Sequence, residues 1–387
     1  MEFISDQLND LLARNLYRQP YTVTDRRGSR VVVEGKELIS FASNDYLGLA
    51  QHPDVIKAAV DATLRYGAGA SSSRILQGTM EFHRSLERKL AQFKGCEDAL
   101  IFPTGYMANI GVLSSLLDED DVVISDELNH ASIVDACKMT GATVVVYPHK
   151  NLKRLNEALD EYSLIEQRFV LTDALFSMDG DLAPLREIAA LAREHGAYTF
   201  VDDAHGTGVF GHEGRGVIEH FGLKGQVDFI TGTLSKAVGA LGGFAAGRAD
   251  FIDFLRNRAR SFIYTTAPPA GVIAAAEKAL DIIIASPQLR EKLWDNVNYF
   301  IRQLRAAGIR PLCGESQIVP ILLGSAENAM AASKKLIDGG LFIPAIRPPT
   351  VPEGTARLRV NITAPHTHED IDRLVEVLKT LDIEQRD

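Results

Sequence analysis

Cysteine is scarce in this chain of 387 residues and occurs only as Cys96, Cys137 and Cys313. The three positions lie far apart and match no metal-binding spacing, and an odd number does not suit a disulfide framework. We therefore expect no bound metal and a protein that works in a reducing compartment, with the cytoplasm as the predicted location.

Long apolar runs and an excess of positive charge are also missing. The sequence contains no run of about 18 apolar residues, which is the length that a membrane-spanning helix requires. The first residues, Met-Glu-Phe-Ile-Ser-Asp, lack the basic start and apolar core of a secretory signal. The net charge of -10 and the pI near 5.5 disfavour non-specific attraction to nucleic acids or membranes, so we expect neither as a partner.

The composition is that of a globular protein, 46% hydrophobic and 24% charged, in a chain long enough for two or more domains. In the middle of the chain, short apolar runs alternate with helical patterns. The predicted strands are 98–102, 121–125, 143–147, 168–172, 197–201, 227–231 and 243–246. This alternation indicates an α/β domain with a mostly parallel sheet covered by helices on both faces.

The regions on either side have a different pattern. We predict an amphipathic helix over 2–17, a hairpin of 31–33 and 38–41, helices over 249–262, 270–285, 288–307, 326–338 and 367–381, and strands near 318–323, 341–346 and 357–363. The expected domains are an N-terminal helix and hairpin segment (1–50), a large α/β domain (51–265), and linker helices with a smaller α+β domain (266–387).

Polar and glycine-rich segments follow the predicted strands, and ligands of such sheets bind at the carboxyl ends of strands. Pro103-Thr-Gly-Tyr-Met-Ala-Asn109 enters a helix, where backbone N–H groups and Gly105 suit an anion. Asn129-His-Ala-Ser132 and Asp173-Ala-Leu-Phe-Ser177 follow two further strands. Asp202-Asp-Ala-His205 places two acids after an apolar strand, which is costly unless a cationic group meets them.

The next strand leads to Thr231-Gly-Thr-Leu-Ser-Lys236 and a glycine-rich run. If this lysine is kept from water, its pKa is depressed and its amine becomes a nucleophile towards carbonyls. The alternative is a lysine at a strand end that keeps its ammonium group in water. Phosphate donors, a carboxylate for a ring nitrogen, imidazoles and a Schiff-base lysine together indicate a pyridoxal phosphate site. No second cluster supports zinc, and no G-x-G-x-x-G motif supports a dinucleotide.

These motifs resemble those of the α-oxoamine synthases, pyridoxal phosphate enzymes of fold type I. The resemblance covers nearly the whole chain and includes Ser-Asn-Asp-Tyr-Leu-Gly (43–48), Asn-His-Ala-Ser (129–132), Phe-Ser-Met-Asp-Gly-Asp (176–181), Val-Asp-Asp-Ala-His-Gly-Thr-Gly (201–208) and Tyr-Thr-Thr-Ala-Pro-Pro (264–269). It implies a fold-type I transferase, with a mostly parallel seven-stranded sheet between helices and a smaller α+β C-terminal domain.

The segment from Ala345 to Arg359 resembles the branch of this family that joins L-alanine to a pimeloyl thioester, with loss of carbon dioxide, in biotin biosynthesis. The resemblance thus implies a pyridoxal phosphate-dependent acyltransferase. The alternative is the branch that joins glycine to acetyl-CoA, with glycine C-acetyltransferase activity. A non-catalytic relative would be expected to lose the lysine or its aspartate, and both Lys236 and Asp202 are intact.

The resemblance also implies residue roles. Lys236 would bind the cofactor as a Schiff base and remove the α-proton of alanine. Asp202 would pair with the pyridinium nitrogen, His130 would stack on the ring, and His205 with Ser177 would hydrogen-bond its phenolic oxygen.

Two further groups of residues follow from the same resemblance. The cofactor phosphate would be held by the backbone of Gly105 and Tyr106, by Thr233, and by Thr265 or Thr266 of a second subunit in a homodimer with a shared site. Arg359 would clamp the substrate carboxylate, a task suited to the planar guanidinium. Asn44 would lie near the acyl group, and Thr350 completes the predicted substrate-binding set.

Overall fold

The computed structural model describes residues 2–383 and forms two compact units. The larger unit contains residues 49–177 and 182–290, and the smaller unit contains residues 2–48, 178–181 and 291–383. This division differs from the predicted boundaries at 50 and 265. The N-terminal segment shares a unit with the C-terminal part, because a C-terminal strand extends the N-terminal sheet.

The larger unit is built on a seven-stranded sheet. Its strands are β4 (Asp98–Phe102), β5 (Val122–Asp126), β6 (Thr143–Tyr147), β7 (Arg168–Asp173), β8 (Tyr198–Asp202), β9 (Phe229–Thr233) and β10 (Gly243–Gly247), in the order β4-β10-β9-β8-β7-β5-β6. Strands β5 to β9 pair in parallel, and β10 is antiparallel to β4 and β9. The predicted mostly parallel sheet is confirmed.

The larger unit also contains helices, which lie before, between and after the strands in the sequence. They are α2 (Pro53–Tyr66), α3 (Glu81–Lys94), α4 (Gly105–Leu116), α5 (Ala131–Lys138), α6 (Leu152–Glu161), α7 (Leu185–Glu194), α8 (Val217–His220), α9 (Ala249–Arg258), α10 (Arg260–Ile263) and α11 (Ala270–Ala285). Side chains such as Phe102, Val112 and Phe200 form the buried core of the larger unit. The predicted helix over 249–262 is two helices, because Ala259 adopts an extended conformation between them.

The smaller unit contains two sheets and their helices. Its elements are α1 (Glu2–Ala13), β1 (Val23–Arg27), β2 (Arg30–Val33), β3 (Lys36–Ser40), most of α12 (Gln288–Ala306), β11 (Ile318–Gly324), α13 (Ala326–Asp338), β12 (Leu341–Phe342), β13 (Ala345–Ile346), β14 (Ala356–Asn361) and α14 (His368–Leu378). The sheet orders are β1-β2-β3-β12 and β11-β14-β13. The smaller α+β part is confirmed.

The structure of this unit departs from the sequence-based expectations at three places. The predicted strand over 341–346 is two strands in different sheets, since Pro344 lies between them and cannot donate a ladder hydrogen bond. Strand β1 was not predicted, because all of its residues are exposed and give no apolar alternation. Helix α1 ends at Ala13 rather than at residue 17, and Asn15 has a positive φ of 55°.

Among residues 2–383, no helix has the length and apolar character needed to cross a membrane. Within the same range, no group of His, Cys, Asp and Glu side chains is arranged to hold a metal ion.

Candidate active site

A cavity of about 210 Å³ lies at the carboxyl ends of the parallel strands of the larger unit. Seven of the residues predicted from the sequence line it together: Gly105, Tyr106, His130, Asp202, His205, Thr233 and Lys236. They converge because β7, β8 and β9 are aligned so that Asp173 pairs with Asp202 and Asp202 with Thr231. Each following loop therefore begins at the same edge of the sheet.

Lys236 lies in the turn between β9 and β10 and is half-buried. The turn is closed by hydrogen bonds from Gly239 N–H to the Lys236 carbonyl and from Leu234 N–H to the Gly242 carbonyl. Gly239 has a φ of 71°, and a side chain there would meet the backbone of Ala50. The lysine is thus held in the cavity wall by a tight turn.

One part of the cavity wall suits an anion. It contains the start of α4, where Thr104 Oγ1 accepts a hydrogen bond from Met107 N–H and the first amides have no partner within the helix. The hydroxyl of Thr233 lies beside Gly105, 2.7 Å from Ser235 Oγ. Peptide N–H groups at a helix start and neighbouring hydroxyls favour a phosphate group.

The cavity wall also contains a buried carboxylate. Asp202 accepts hydrogen bonds from the Asn109 side-chain amide at 2.7 Å and from Ala204 N–H at 2.9 Å. Asp173 lies beside it, and burial, followed by the charge of Asp202, raises the pKa of Asp173 well above its ordinary value. A carboxylate in this position suits a cationic ring nitrogen.

His130 caps the start of α5. Its Nδ1 accepts a hydrogen bond from Ser132 N–H at 3.3 Å and lies 2.7 Å from Ser132 Oγ. Burial lowers the pKa of His130, so its imidazole is neutral at physiological pH and can offer a flat face to a ring.

The second acid of the predicted pair has a partner of its own. Asp203 is fully buried and lies 2.8 Å from the ammonium group of Lys94, which also donates to Thr207 Oγ1 and to the Arg215 carbonyl. The sequence correctly required a cationic partner for this acid, but it did not show that Lys94 supplies it.

Other predicted residues lie elsewhere in the described chain. Ser177, Thr265 and Thr266 are not among the residues that line this cavity, and Thr266 forms a bridge with Ser73. The role predicted for the two threonines belongs to a second subunit, so it stays a prediction.

The predicted substrate residues belong to the smaller unit. Arg359 donates to Asn44 Oδ1 at 3.0 Å, so the structure brings these two residues together. Thr350 Oγ1 accepts a hydrogen bond at 3.1 Å from Arg18, which sequence reasoning missed. Arg18 follows helix α1 in an irregular segment, where no periodicity could reveal it.

Two residues that line the cavity, Asn109 and Asp173, were also not predicted as site residues, although both belong to segments that follow predicted strands.

The anion site, the Asp202 carboxylate and Lys236 lie in one cavity. These three features match the phosphate, the ring nitrogen and the aldehyde of pyridoxal phosphate. The donor set therefore fits this cofactor.

Comparison with known proteins agrees with this geometry. Residues 36–378 match the family described as aminotransferase class I and II. A serine palmitoyltransferase from S. paucimobilis, solved with a pyridoxal phosphate adduct, has a TM-score of 0.93 and 34% sequence identity over 98% of this chain and 96% of that chain. The chain belongs to the aminotransferase class I and II family and is a pyridoxal phosphate-dependent transferase of fold type I.

Closer relatives narrow the family. 8-Amino-7-oxononanoate synthase from Geobacter metallireducens is 47% identical over 97% of this chain and 97% of its own length, and 8-amino-7-oxononanoate synthase 1 from Bacillus subtilis is 43% identical over 98% and 96%. A solved 8-amino-7-oxononanoate synthase from Francisella tularensis has a TM-score of 0.78 at 27% identity, covering 89% of this chain and 97% of that chain. Within the class, the chain is a member of the 8-amino-7-oxononanoate synthase family of acyltransferases, which confirms the predicted family, fold and cofactor.

Proposed function

We propose that this protein condenses L-alanine with a pimeloyl thioester, releasing carbon dioxide and the free thiol of the acyl carrier and forming 8-amino-7-oxononanoate. The observation that carries the proposal is that Lys236, Asp202 and the anion site at the start of α4 line one cavity. The relatives of this chain are named 8-amino-7-oxononanoate synthases, which agrees with this arrangement. Bound pyridoxal phosphate supplies the electron sink for the carbanion at the α-carbon of alanine.

The residues of the cavity have complementary proposed tasks. The amine of Lys236 removes the proton from the α-carbon of alanine and later returns a proton to the product. Asp202 keeps the ring nitrogen charged, since a buried carboxylate favours a cation beside it. The neutral imidazole of His130 covers one face of the ring, and His205 with Ser177 binds its phenolic oxygen.

The phosphate contacts divide between two chains in this proposal. The backbone of Gly105 and Tyr106 and the hydroxyl of Thr233 bind it from one subunit, and Thr265 or Thr266 binds it from the other. The homodimer is itself part of the proposal and follows from the family resemblance. A second subunit would cover exposed apolar side chains of the larger unit such as Leu64, Leu76 and Tyr264, which are 82%, 83% and 72% exposed.

The smaller unit offers two arginines for a substrate carboxylate, besides Arg359. Arg347 donates to the carbonyls of Asn15 and Tyr17, and Arg18 donates to Thr350 Oγ1 and the Pro348 carbonyl. Burial, followed by the like charge of Arg18, lowers the pKa of Arg347. An anion between two such guanidinium groups relieves their repulsion, and the pimeloyl chain ends in a carboxylate.

A cytoplasmic location completes the proposal. It is supported by the biosynthetic role of the relatives and by the three cysteines, which are free thiols in the structure.

Matched thiol-release assays test the proposed substrates. One reaction contains pimeloyl-CoA and L-alanine, and the other contains acetyl-CoA and glycine; both are compared with the Lys236→Ala variant as a blank. We expect faster release with the first pair. Faster release with the second pair would keep the cofactor and the lysine but would place the chain with the glycine acetyltransferases.

A further inference from the structure

Asn109 lies in the second turn of α4 and is 2% exposed. An asparagine is a poor residue for a helix interior, and burying its amide is costly unless hydrogen bonds satisfy it. An apolar residue of similar size would serve helix and core better. The position of this polar group beside the cavity therefore needs a reason other than packing.

The side-chain amide of Asn109 forms hydrogen bonds with three different elements. Its nitrogen donates to Asp202 Oδ2 at 2.7 Å and to Ser132 Oγ at 2.8 Å, and its oxygen accepts from Thr231 Oγ1 at 2.7 Å. The Thr231 hydroxyl thereby determines which end of the amide faces Asp202. Both N–H donors of the amide are used.

These contacts continue to His130. Ser132 Oγ lies 2.7 Å from His130 Nδ1, which also accepts from Ser132 N–H. With Nδ1 as the acceptor, the neutral ring carries its proton on Nε2. The chain of contacts thus joins the carboxylate of Asp202 to the imidazole of His130 through one asparagine and one serine.

We propose that Asn109 is a positioning residue that orients the Asp202 carboxylate and, through Ser132, the His130 imidazole. It acts on the cofactor through these two neighbours, and the inference rests on their proposed contacts with the ring. A carboxylate that must meet a ring nitrogen loses binding energy if it rotates, and the amide prevents this rotation by holding one of its oxygens.

The test measures the dissociation constant for pyridoxal phosphate by titrating the full-length, cofactor-stripped protein. We expect Asn109→Ala to weaken binding by about 10- to 100-fold, the usual effect of a lost hydrogen bond to a charged group. The absorbance maximum of the reconstituted protein is expected to shift as well. Ser115→Ala is the matched control, because Ser115 is a buried residue of the same helix that donates only to the Gly111 carbonyl among its described contacts.

A double-mutant cycle with Asp202→Asn separates positioning from general damage. If Asn109 acts through Asp202, the two substitutions together weaken binding by much less than the product of their separate effects. Multiplicative effects, or an Asn109→Ala variant with the affinity and absorbance of the unmodified protein, would overturn the inference.

Two further outcomes remain distinguishable. If Asp202→Asn leaves affinity and absorbance unchanged, the proposed role of Asp202 fails, and with it this inference. If Asn109→Ala does not fold, Thr231→Val removes the hydrogen bond to the Asn109 side-chain oxygen, and Ser132→Ala removes the hydroxyl contacts with Asn109 and His130. Both substitutions keep most of the side-chain volume. At least a severalfold loss of affinity in either supports the inference, and unchanged affinity in both contradicts it.

Discussion

Lys236 shows how local geometry decides between two interpretations of a single charged residue. A strand-end lysine can extend its ammonium group into water, but the turn from Thr233 to Gly242 places Lys236 in a cavity wall with Asp202 and His130. Proximity to a bound carbonyl and exclusion of water are the conditions under which an amine acts as a nucleophile and base.

We expect Lys236→Ala to abolish turnover, with a loss of at least about 10⁴-fold, because in the proposed mechanism both covalent binding of the cofactor and proton transfer need the amine. Thiol release from pimeloyl-CoA measures the rate, and the visible absorbance of the protein reports the bound cofactor. The control is Lys138→Ala, because the side chain of Lys138 is exposed. A Lys236→Ala variant with a near-normal rate would refute the role of this residue.

Arg18→Ala is expected to raise the KM for pimeloyl-CoA about tenfold or more with a smaller change in kcat, because the variant lacks the charge-assisted hydrogen bond that we propose to the substrate carboxylate. Steady-state kinetics measure this effect. Arg14→Ala is a suitable control, since Arg14 already pairs with Asp10 and Glu353. Equal effects of both substitutions would contradict a specific role for Arg18.

The buried imidazole of His366 makes the smaller unit sensitive to acid. Its Nδ1 accepts a hydrogen bond from Thr363 N–H, its ring stacks on Phe41, and burial lowers its pKa from 6.5 to about 4. In the unfolded chain, the imidazole of His366 is protonated below about pH 6.5. In the folded unit, the same imidazole stays neutral until the pH falls to about 4. The contribution of His366 to stability is therefore complete above pH 6.5 and is lost as the pH falls towards 4.

Replacing His366 by Gln should flatten the pH dependence between about pH 6.5 and 4 by up to about 1.4 kcal/mol of unfolding free energy per pH unit. Urea unfolding followed by the fluorescence of Trp294, the single tryptophan and a residue of the smaller unit, measures this slope. His212→Gln, at an exposed position, provides the comparison. An unchanged slope in the His366 variant would show that another group causes the acid sensitivity.

Strand β10 runs close to the start of helix α4, and this proximity depends on a glycine. A Cβ atom at Gly243 would lie 2.3 Å from the Thr104 carbonyl oxygen and 2.6 Å from Gly105 Cα, and both are backbone atoms that cannot move aside alone. The antiparallel strand and the anion site are therefore coupled through the absence of a side chain.

Gly243→Ala is expected to displace the start of α4, to destabilise the larger unit by about 1–3 kcal/mol, and to weaken pyridoxal phosphate binding. Thermal unfolding and cofactor titration measure the two effects. At Gly69, a Cβ atom meets nothing within 4 Å, so Gly69→Ala should change neither. Normal cofactor affinity in the Gly243 variant would show that α4 tolerates the shift.

The proposed homodimer, in which Thr265 or Thr266 of one subunit completes the site of the other, can be tested with a hybrid of two variant chains. A hybrid dimer of a Lys236→Ala chain and a Thr265→Val/Thr266→Val chain contains one intact site if the threonines act across the interface. We expect co-expression of two differently tagged chains, each of low activity alone, to yield a hybrid with about half the activity of the unmodified dimer.

Purification through both tags in sequence isolates the hybrid, and thiol release measures its activity. If each subunit supplied its own threonines, neither site of the hybrid would be intact, and its activity would stay as low as that of the parent variants. A protein that is monomeric by light scattering would contradict the shared site directly.

The sequence predicted the central sheet well because strand periodicity and strand-end chemistry are both local. Strands β4 to β10 lie within two residues of their predicted bounds, and the segments after them contain the cavity residues. Elements that lack an apolar pattern, such as β1, or that divide between two sheets, such as β12 and β13, could not be recognised locally.

Residue identity and order along the chain therefore established the fold class, the cofactor chemistry and the family, since parallel strands bring their carboxyl ends to one edge whatever the details of packing. Tertiary structure alone decided which side chains support the site. Asn109 meets Asp202 across 93 residues, Asn44 meets Arg359 across 315, and Arg18 meets Thr350 across 332. Contacts at such separations leave no periodic trace in a single sequence, because they depend on how distant elements pack in space.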